Sequence, residues 1–387
     1  MLKQGCWDIV TNRNGDNLTQ DLIFRPYRPR DEEKIVELLE LVFGDWPGFC
    51  LNCSPLDHWR WKYLDNPVGQ SQITVCLKND EMIGCAHLLP LRLKIGQEVY
   101  SSCYGTDVAV HPEYRGYGIC NRLNSLRHDL ATKAGYFYSF HPTRNPLLLR
   151  HHRRYWQTFP HDILNFVKIH DIDRQLEAMP MKNRWLMKYG FLGARHLNSF
   201  INTFRVQGSG TYQGRILSIK AFNDKINNFW EETSDQYDFV VERSSGYLNW
   251  RYSYSRSGEF IILQAEEEDV IKGYTVLSVN RKLGDYPVGF IMDLISLPDR
   301  RDVVHALVMK ALKEFDKQGV NLVNCLVAKK HPYEEIFSSS GLLDSRVKFE
   351  LFYYILETTK KNVLEDATVG KVHFSWGDHD TLPVKGH

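Results

Sequence analysis

A chain of 387 residues is longer than one hydrophobic core normally serves, and it predicts two domains. Apolar residues make up 43% and charged residues 25%, the balance of a folded globular protein and not of a disordered or fibrous one. The 48 Lys and Arg offset 47 Asp and Glu, so the net charge of +1 offers no overall attraction for nucleic acid, and no apolar run approaches the length that spans a bilayer. Neither a nucleic-acid nor a membrane partner is expected, and an N-terminus without an apolar leader predicts a cytoplasmic location.

In chain order, "FRPYRPRDEEKIVELLELVF" opens with a short strand and continues as a helix. Its Ile35, Leu38, Leu39, Val42 and Phe43 recur at helical spacing after Asp31, a natural cap. Cys50 and Cys53 follow as a lone CxxC with no second pair at zinc spacing, and the other six cysteines are scattered, several in apolar strand-like runs. Free buried thiols and no metal are expected. In "HWRWKYLDNP", Trp59, Trp61 and Tyr63 suit either a pocket wall or the packing of a second helix onto a sheet, and packing is favoured.

The runs "SQITVCLK", "EMIGCAHLLPLRL" and "YSSCYGTDVAV" read as three strands. A helix is predicted from about Asn121 to Lys133, then a strand "YFYSFHP" and a basic helix after Asn145.

The second half repeats this plan. "GRILSIKAFNDKINNFWEE" matches the first strand and helix, and "LNWRYSY" echoes "DHWRWKY". "FIILQAEEEDVIKGYTVLSV" matches the hairpin, and "GFIMDLISLPDRR" the third strand. The intervals are kept as well, since Pro112 precedes Arg115 as Pro298 precedes Arg301, and each arginine stands equally far before Pro146 or Pro332. The expected organisation is an N-terminal α/β domain over residues 1–170, a connecting segment over 171–210, a second copy over 211–358 and a tail over 359–387. In the tail, Asp378, His379 and Asp380 lie close together and read as a polar turn.

The stretch "VAVHPEYRGYGIC" runs a strand into a glycine-bearing turn and then a helix. Such a turn lines up backbone N–H groups at the positive end of the helix, a phosphate-binding arrangement. Gly116 and Gly118 let the backbone approach an anion, and Arg115 adds a fixed charge.

With its preceding V-x-V-x-P-x-x-R, the run Arg115-Gly116-Tyr117-Gly118-Ile119-Cys120 resembles the R/Q-x-x-G-x-G/A signature of the GCN5-related N-acetyltransferase (GNAT) superfamily. From about Leu22 to about Ile169 the order of strands and helices is similar to that fold, which implies a mixed, mostly antiparallel central sheet flanked by helices in each copy.

The resemblance also implies acyl-coenzyme A, acetyl-CoA or another, as co-substrate. Its pyrophosphate would meet the amides of Gly116, Tyr117, Gly118, Ile119, Cys120 and Asn121, and its pantetheine arm the backbone of Val108, Ala109 and Val110. Asn145 matches a further family position that contacts the coenzyme. Cys120 departs from the signature, where Gly or Ala is usual. In the second copy Asp302, Val303 and Val304 replace the turn, so that copy is expected not to bind the coenzyme there.

By the same resemblance Asp107 is the expected base, direct or through water, and the family's tyrosine acid falls at His151, with Tyr155 one helical turn on. The expectation is an N-acyltransferase acting on a small-molecule amine or amino sugar by direct attack, with self-association compatible with such a chain. An aminoacyl or peptidyl transferase on the same tandem fold, or a sensor that binds acyl-coenzyme A without turning it over, are the competing readings.

Overall fold

The computed structural model describes residues 21–144, 146–177, 211–357 and 363–379. Strand β1 (Ile23–Pro26) leads into α1 (Glu32–Phe43), which ends where Gly44 takes a left-handed φ of 81° and its N–H returns to the Glu40 carbonyl. Helix α2 (Pro55–Tyr63) starts at Ser54, whose hydroxyl accepts the Asp57 N–H, with proline at the first helical position. Strands β2 (Gln72–Lys78), β3 (Glu81–Ile95) and β4 (Glu98–Val110) form a meander, followed by α3 (Ile119–Lys133). Then come β5 (Tyr138–Thr143), α4 (Pro146–Tyr155), β6 (Gln157–Thr158), β7 (Ile163–Ile169) and α5 (Ile172–Glu177).

The second half repeats the series as β8 (Arg215–Ile219), α6 (Lys225–Ser234), β9 (Phe239–Val241), α7 (Ser245–Tyr252), β10 (Ile261–Glu267), β11 (Val270–Asn280) and β12 (Val288–Ser296). It closes with α8 (Arg301–Lys317), β13 (Leu322–Ala328), α9 (Tyr333–Ser339) and β14 (Leu343–Ile355). Among the described residues no helix is long and apolar enough to cross a membrane.

The strands join in one sheet, in the order β1-β2-β3-β4-β5-β14-β7-β13-β12-β11-β10-β8. That order reads the same from either end once each strand is matched with its repeat, so the internal duplication is visible as a pseudo-twofold arrangement centred between β14 and β7. Within the sheet β4 pairs parallel with β5 and β12 with β13, and the other named pairings are antiparallel.

The closing strands are exchanged between the copies. Strand β7, from the first half, lies between β13 and β14, whereas β14 pairs through Glu350–Ile355 with β5 and through its first residues with β7.

Helices α2 and α7 meet at the centre. The indole N–H of Trp61 donates to the Trp250 carbonyl at 2.9 Å, and that of Trp250 to the Trp61 carbonyl at 3.1 Å. Their rings stack at 4.9 Å. The sequence echo pairs Trp250 with Trp59, but the structure pairs it with Trp61. The two helices coincide at their C-terminal ends, Tyr63 and Tyr252, and α7 is shorter at its start. Trp59, Trp61 and Tyr63 are all core residues.

Candidate functional site

Parallel pairing of β4 with β5 stops at Tyr104 and Phe140. Beyond it β4 runs on to Val110 on the β3 side alone, which opens a fork between the two strands. A register shift against β3 falls in the same stretch, between the Cys85 and His87 pairings, and Asp107 there takes a left-handed φ of 42°. Past the bulge Ala109 and Val110 stay paired with Cys85 and Gly84 of β3, which leaves the other edge of this stretch toward the mouth of the fork.

Past Val110 the chain makes a turn through Pro112–Tyr114 and enters α3 through two glycines with φ of 85° (Gly116) and 74° (Gly118). A β-carbon at either would meet nothing within 4 Å, so backbone conformation requires glycine there and the space outside is open. The first α3 hydrogen bond runs from the Arg122 N–H to the Gly118 carbonyl, leaving the amides ahead of Arg122 at the positive end of the helix. Cys120 turns its side chain into the apolar cluster of Ile83, Ala86 and Leu123, which accounts for a small residue there other than Gly or Ala. Arg115 donates from Nε to the Val110 carbonyl, tying the turn to the end of β4.

In the second copy this entrance is closed. Arg300 bonds both Asp302 and Glu267 across the start of α8, and Val303 and Val304 are buried. The fork between β12 and β13 carries the C-terminal segment, with Trp376 packed on Phe290 and Val372, His373, Phe374 and Ser375 lining the strands.

Asp378, read from sequence as part of a polar turn, is a buried ion pair. Arg243 bonds both it and Asp293, the counterpart of Asp107 five residues before the matching proline. Burial opposes ionisation of Asp293, but Arg243 and His373 outweigh it and hold the carboxyl below the usual range. Asp380 lies outside the described residues.

Asp107 is clamped on the α2 side of the fork. Its Oδ1 accepts from the Trp46 indole at 3.0 Å, and its Oδ2 accepts from Lys62 Nζ and from the Tyr63 hydroxyl, both at 2.5 Å. Behind it His87 is fully buried, with Nδ1 at 2.9 Å from the Asp107 carbonyl and Nε2 accepting the Trp59 indole N–H. Burial pushes the His87 imidazole down to about 4.

On the opposite face α4 turns His152 inward, stacked on Trp156 and 5.2 Å from His141 on β5. Tyr155 is 57% exposed, with the Arg154 guanidinium over its ring. The His151 side chain and Asn145 lie outside the described residues.

Two groups that sequence reasoning missed stand at the fork. Lys62 carried a signal in hindsight, since it sits beside Tyr63 in an aromatic helix where an unpaired lysine could not be buried. His141 carried none, being a lone histidine in an apolar strand.

Comparison with known proteins agrees with this geometry. Residues 24–146 match the family model of the acetyltransferase (GNAT) domain. The match is confined to the N-terminal copy, which is similar in sequence to a GNAT domain. A search of curated proteins finds no match.

Among solved structures this chain shares its fold with a GCN5-related N-acetyltransferase from Anabaena variabilis, at 11% identity and a TM-score of 0.59 over 87% of this chain and 73% of that one. It is equally similar to Saccharomyces cerevisiae N-myristoyltransferase, at 10% identity and a TM-score of 0.59 over 92% and 87% of the two chains. A tandem GNAT protein from the clavulanic acid biosynthesis pathway is covered over its whole length, with 88% of this chain, 13% identity and a TM-score of 0.55. The tandem GNAT architecture expected from the repeat is therefore the fold observed.

Proposed function

We propose that this chain is an N-acyltransferase that moves an acyl group from acyl-coenzyme A to a primary amine, with all the chemistry in the N-terminal copy. The observation that carries the reading is the contrast between the copies. One has a fork, two glycines at positive φ and an uncapped helix start on a single strand–turn–helix path. In the other, Asp302, Val303 and Val304 stand in place of the glycine turn, Arg300 bonds Asp302 and Glu267 at the helix start, and the C-terminal segment packs in the fork. The pyrophosphate would rest on the amides of residues 116–121 and the pantetheine arm along Val108–Val110, which points the thioester toward the apex of the fork. Solved relatives of the same fold bind myristoyl-CoA, so a fatty acyl chain is within the reach of this architecture.

Direct attack by the amine fits the site. The thiols of Cys76 and Cys103 are buried and pushed up to about 12, far from the thiolate a covalent intermediate needs. Asp107, whose oxygens are held by Trp46, Lys62 and Tyr63, is proposed to fix the bulge of β4 beside the fork and not to take the proton itself.

Calorimetric titration with acetyl-CoA tests the reading, alongside a variant with Gly116→Val and Gly118→Val. One equivalent bound by the parent and none by the folded variant is the expected result. No binding by the parent would overturn it and favour aminoacyl transfer.

A further inference from the structure

The acyl transfer must move one proton. When the amine nitrogen forms its bond to the thioester carbonyl carbon it becomes cationic, and it must lose a proton before the C–S bond breaks and the sulfur leaves as a thiol. Asp107 is poorly placed to take that proton, because both of its oxygens already accept hydrogen bonds from Trp46, Lys62 and Tyr63. Tyr155 is turned outward. The apex of the fork holds another group.

His141 stands one residue beyond the last parallel pair, Tyr104 with Phe140, and its Nδ1 lies 2.9 Å from the Gly105 carbonyl, one residue beyond the same pair on β4. The ring therefore bridges the two strands where they part. Because a carbonyl can only accept, Nδ1 carries the hydrogen and Nε2 carries the lone pair. Among the described residues no group donates to or accepts from that Nε2, and the side chain is only half-buried.

The ring plane is set from both sides. Tyr104 stacks on it at 10° from parallel, and His152 of α4 sits 5.2 Å away. The charged group facing it is Arg127 of α3, which is buried and donates from Nη1 to the His87 carbonyl. Burial, with Arg127 adding repulsion, lowers the His141 imidazole to about 4, so the lone pair is available throughout the neutral range.

We propose that His141 is the proton carrier of this reaction: Nε2 takes the proton from the attacking amine nitrogen and delivers it to the departing sulfur. One proton leaves nitrogen and one arrives at sulfur, a C–N bond replaces a C–S bond, and the imidazole returns to its starting form. The inference rests on the acyltransferase reading of the same fork.

His141→Asn tests it, because the asparagine amide can keep the bond to the Gly105 carbonyl while removing Nε2. Release of coenzyme A from acetyl-CoA is followed with a panel of an alkylamine, a polyamine and a peptide α-amine, and acetyl-CoA affinity is measured by calorimetry. The expected result is affinity within twofold of the parent and a kcat lower by about 100-fold. A variant that binds normally and turns over within threefold of the parent overturns the role of His141 and leaves the acyltransferase reading standing. Absence of acetyl-CoA binding by the parent overturns both.

Should no amine of the panel be accepted, the nitrogen resonances of the parent's labelled histidines decide. An unprotonated His141 Nε2 that shifts on addition of coenzyme A supports the proposal, and one that is protonated or unmoved overturns it.

Discussion

Trp61 and Trp250 exchange hydrogen bonds, each indole N–H reaching the other's main-chain carbonyl at the point where the two copies meet. Phenylalanine at either position keeps most of the ring area and strands one buried carbonyl. Each single substitution is expected to lower stability by ~1–3 kcal/mol. The double substitution should fall short of the sum, because the residues touch. Urea denaturation of the three variants measures this.

Lys62 is buried and Asp107 nearly so. Lys62→Met leaves the Asp107 carboxylate without its cation and is expected to cost ~3–5 kcal/mol. Adding Asp107→Asn should restore part of that loss. Equal stability of the single and double variants would show that the ion pair does not hold the bulge.

The neutral imidazole of His87 is fully satisfied, with Nδ1 at the Asp107 carbonyl and Nε2 accepting from Trp59, so a second proton would displace the indole. Its folded-state value, about 4, lies below the 6.5 of an unperturbed histidine. The unfolded chain then binds the proton first as pH falls. The stabilisation is complete above about 6.5 and is lost progressively as pH drops from there toward 4. His87→Gln should be less stable at pH 7.5 and show a flatter decline over that window, as followed by the urea midpoint at each pH.

Asp378 anchors the C-terminal segment through Arg243. Asp378→Ala is expected to loosen that segment, and each ~1.4 kcal/mol of local stability lost raises its open population about tenfold. Trypsin should then cut after the exposed Lys371 at a correspondingly higher rate. An unchanged rate would mean that Trp376 and Phe374 hold the segment without the ion pair.

Much of this was legible in the residues. Gly116 and Gly118 announce the turn because a backbone at positive φ leaves its mark at single positions, and the preserved proline-to-arginine intervals announce the duplication. Partnerships over long separations were not legible. Nothing in "HDILNFVKIH" says that its strand will pair with residues beyond 320, since an apolar strand fits any half-buried slot. The polar tail was misjudged for a related reason: Asp378 is buried only because Arg243, far earlier in the chain, waits for it. The partner set of Asp107 was hidden likewise, as a helix of aromatics does not reveal which face meets a strand bulge.

The exchange of β7 and β14 makes each copy the keeper of a strand the other requires. A gene cut between residues 178 and 210 would yield two polypeptides that each expose an unpaired sheet edge and lack the closing strand of their own repeat. Expressed apart they should aggregate, and expressed together they should reassemble by mutual donation. The duplication is thus a mutual dependence, in which neither copy completes its part of the sheet without a strand from the other.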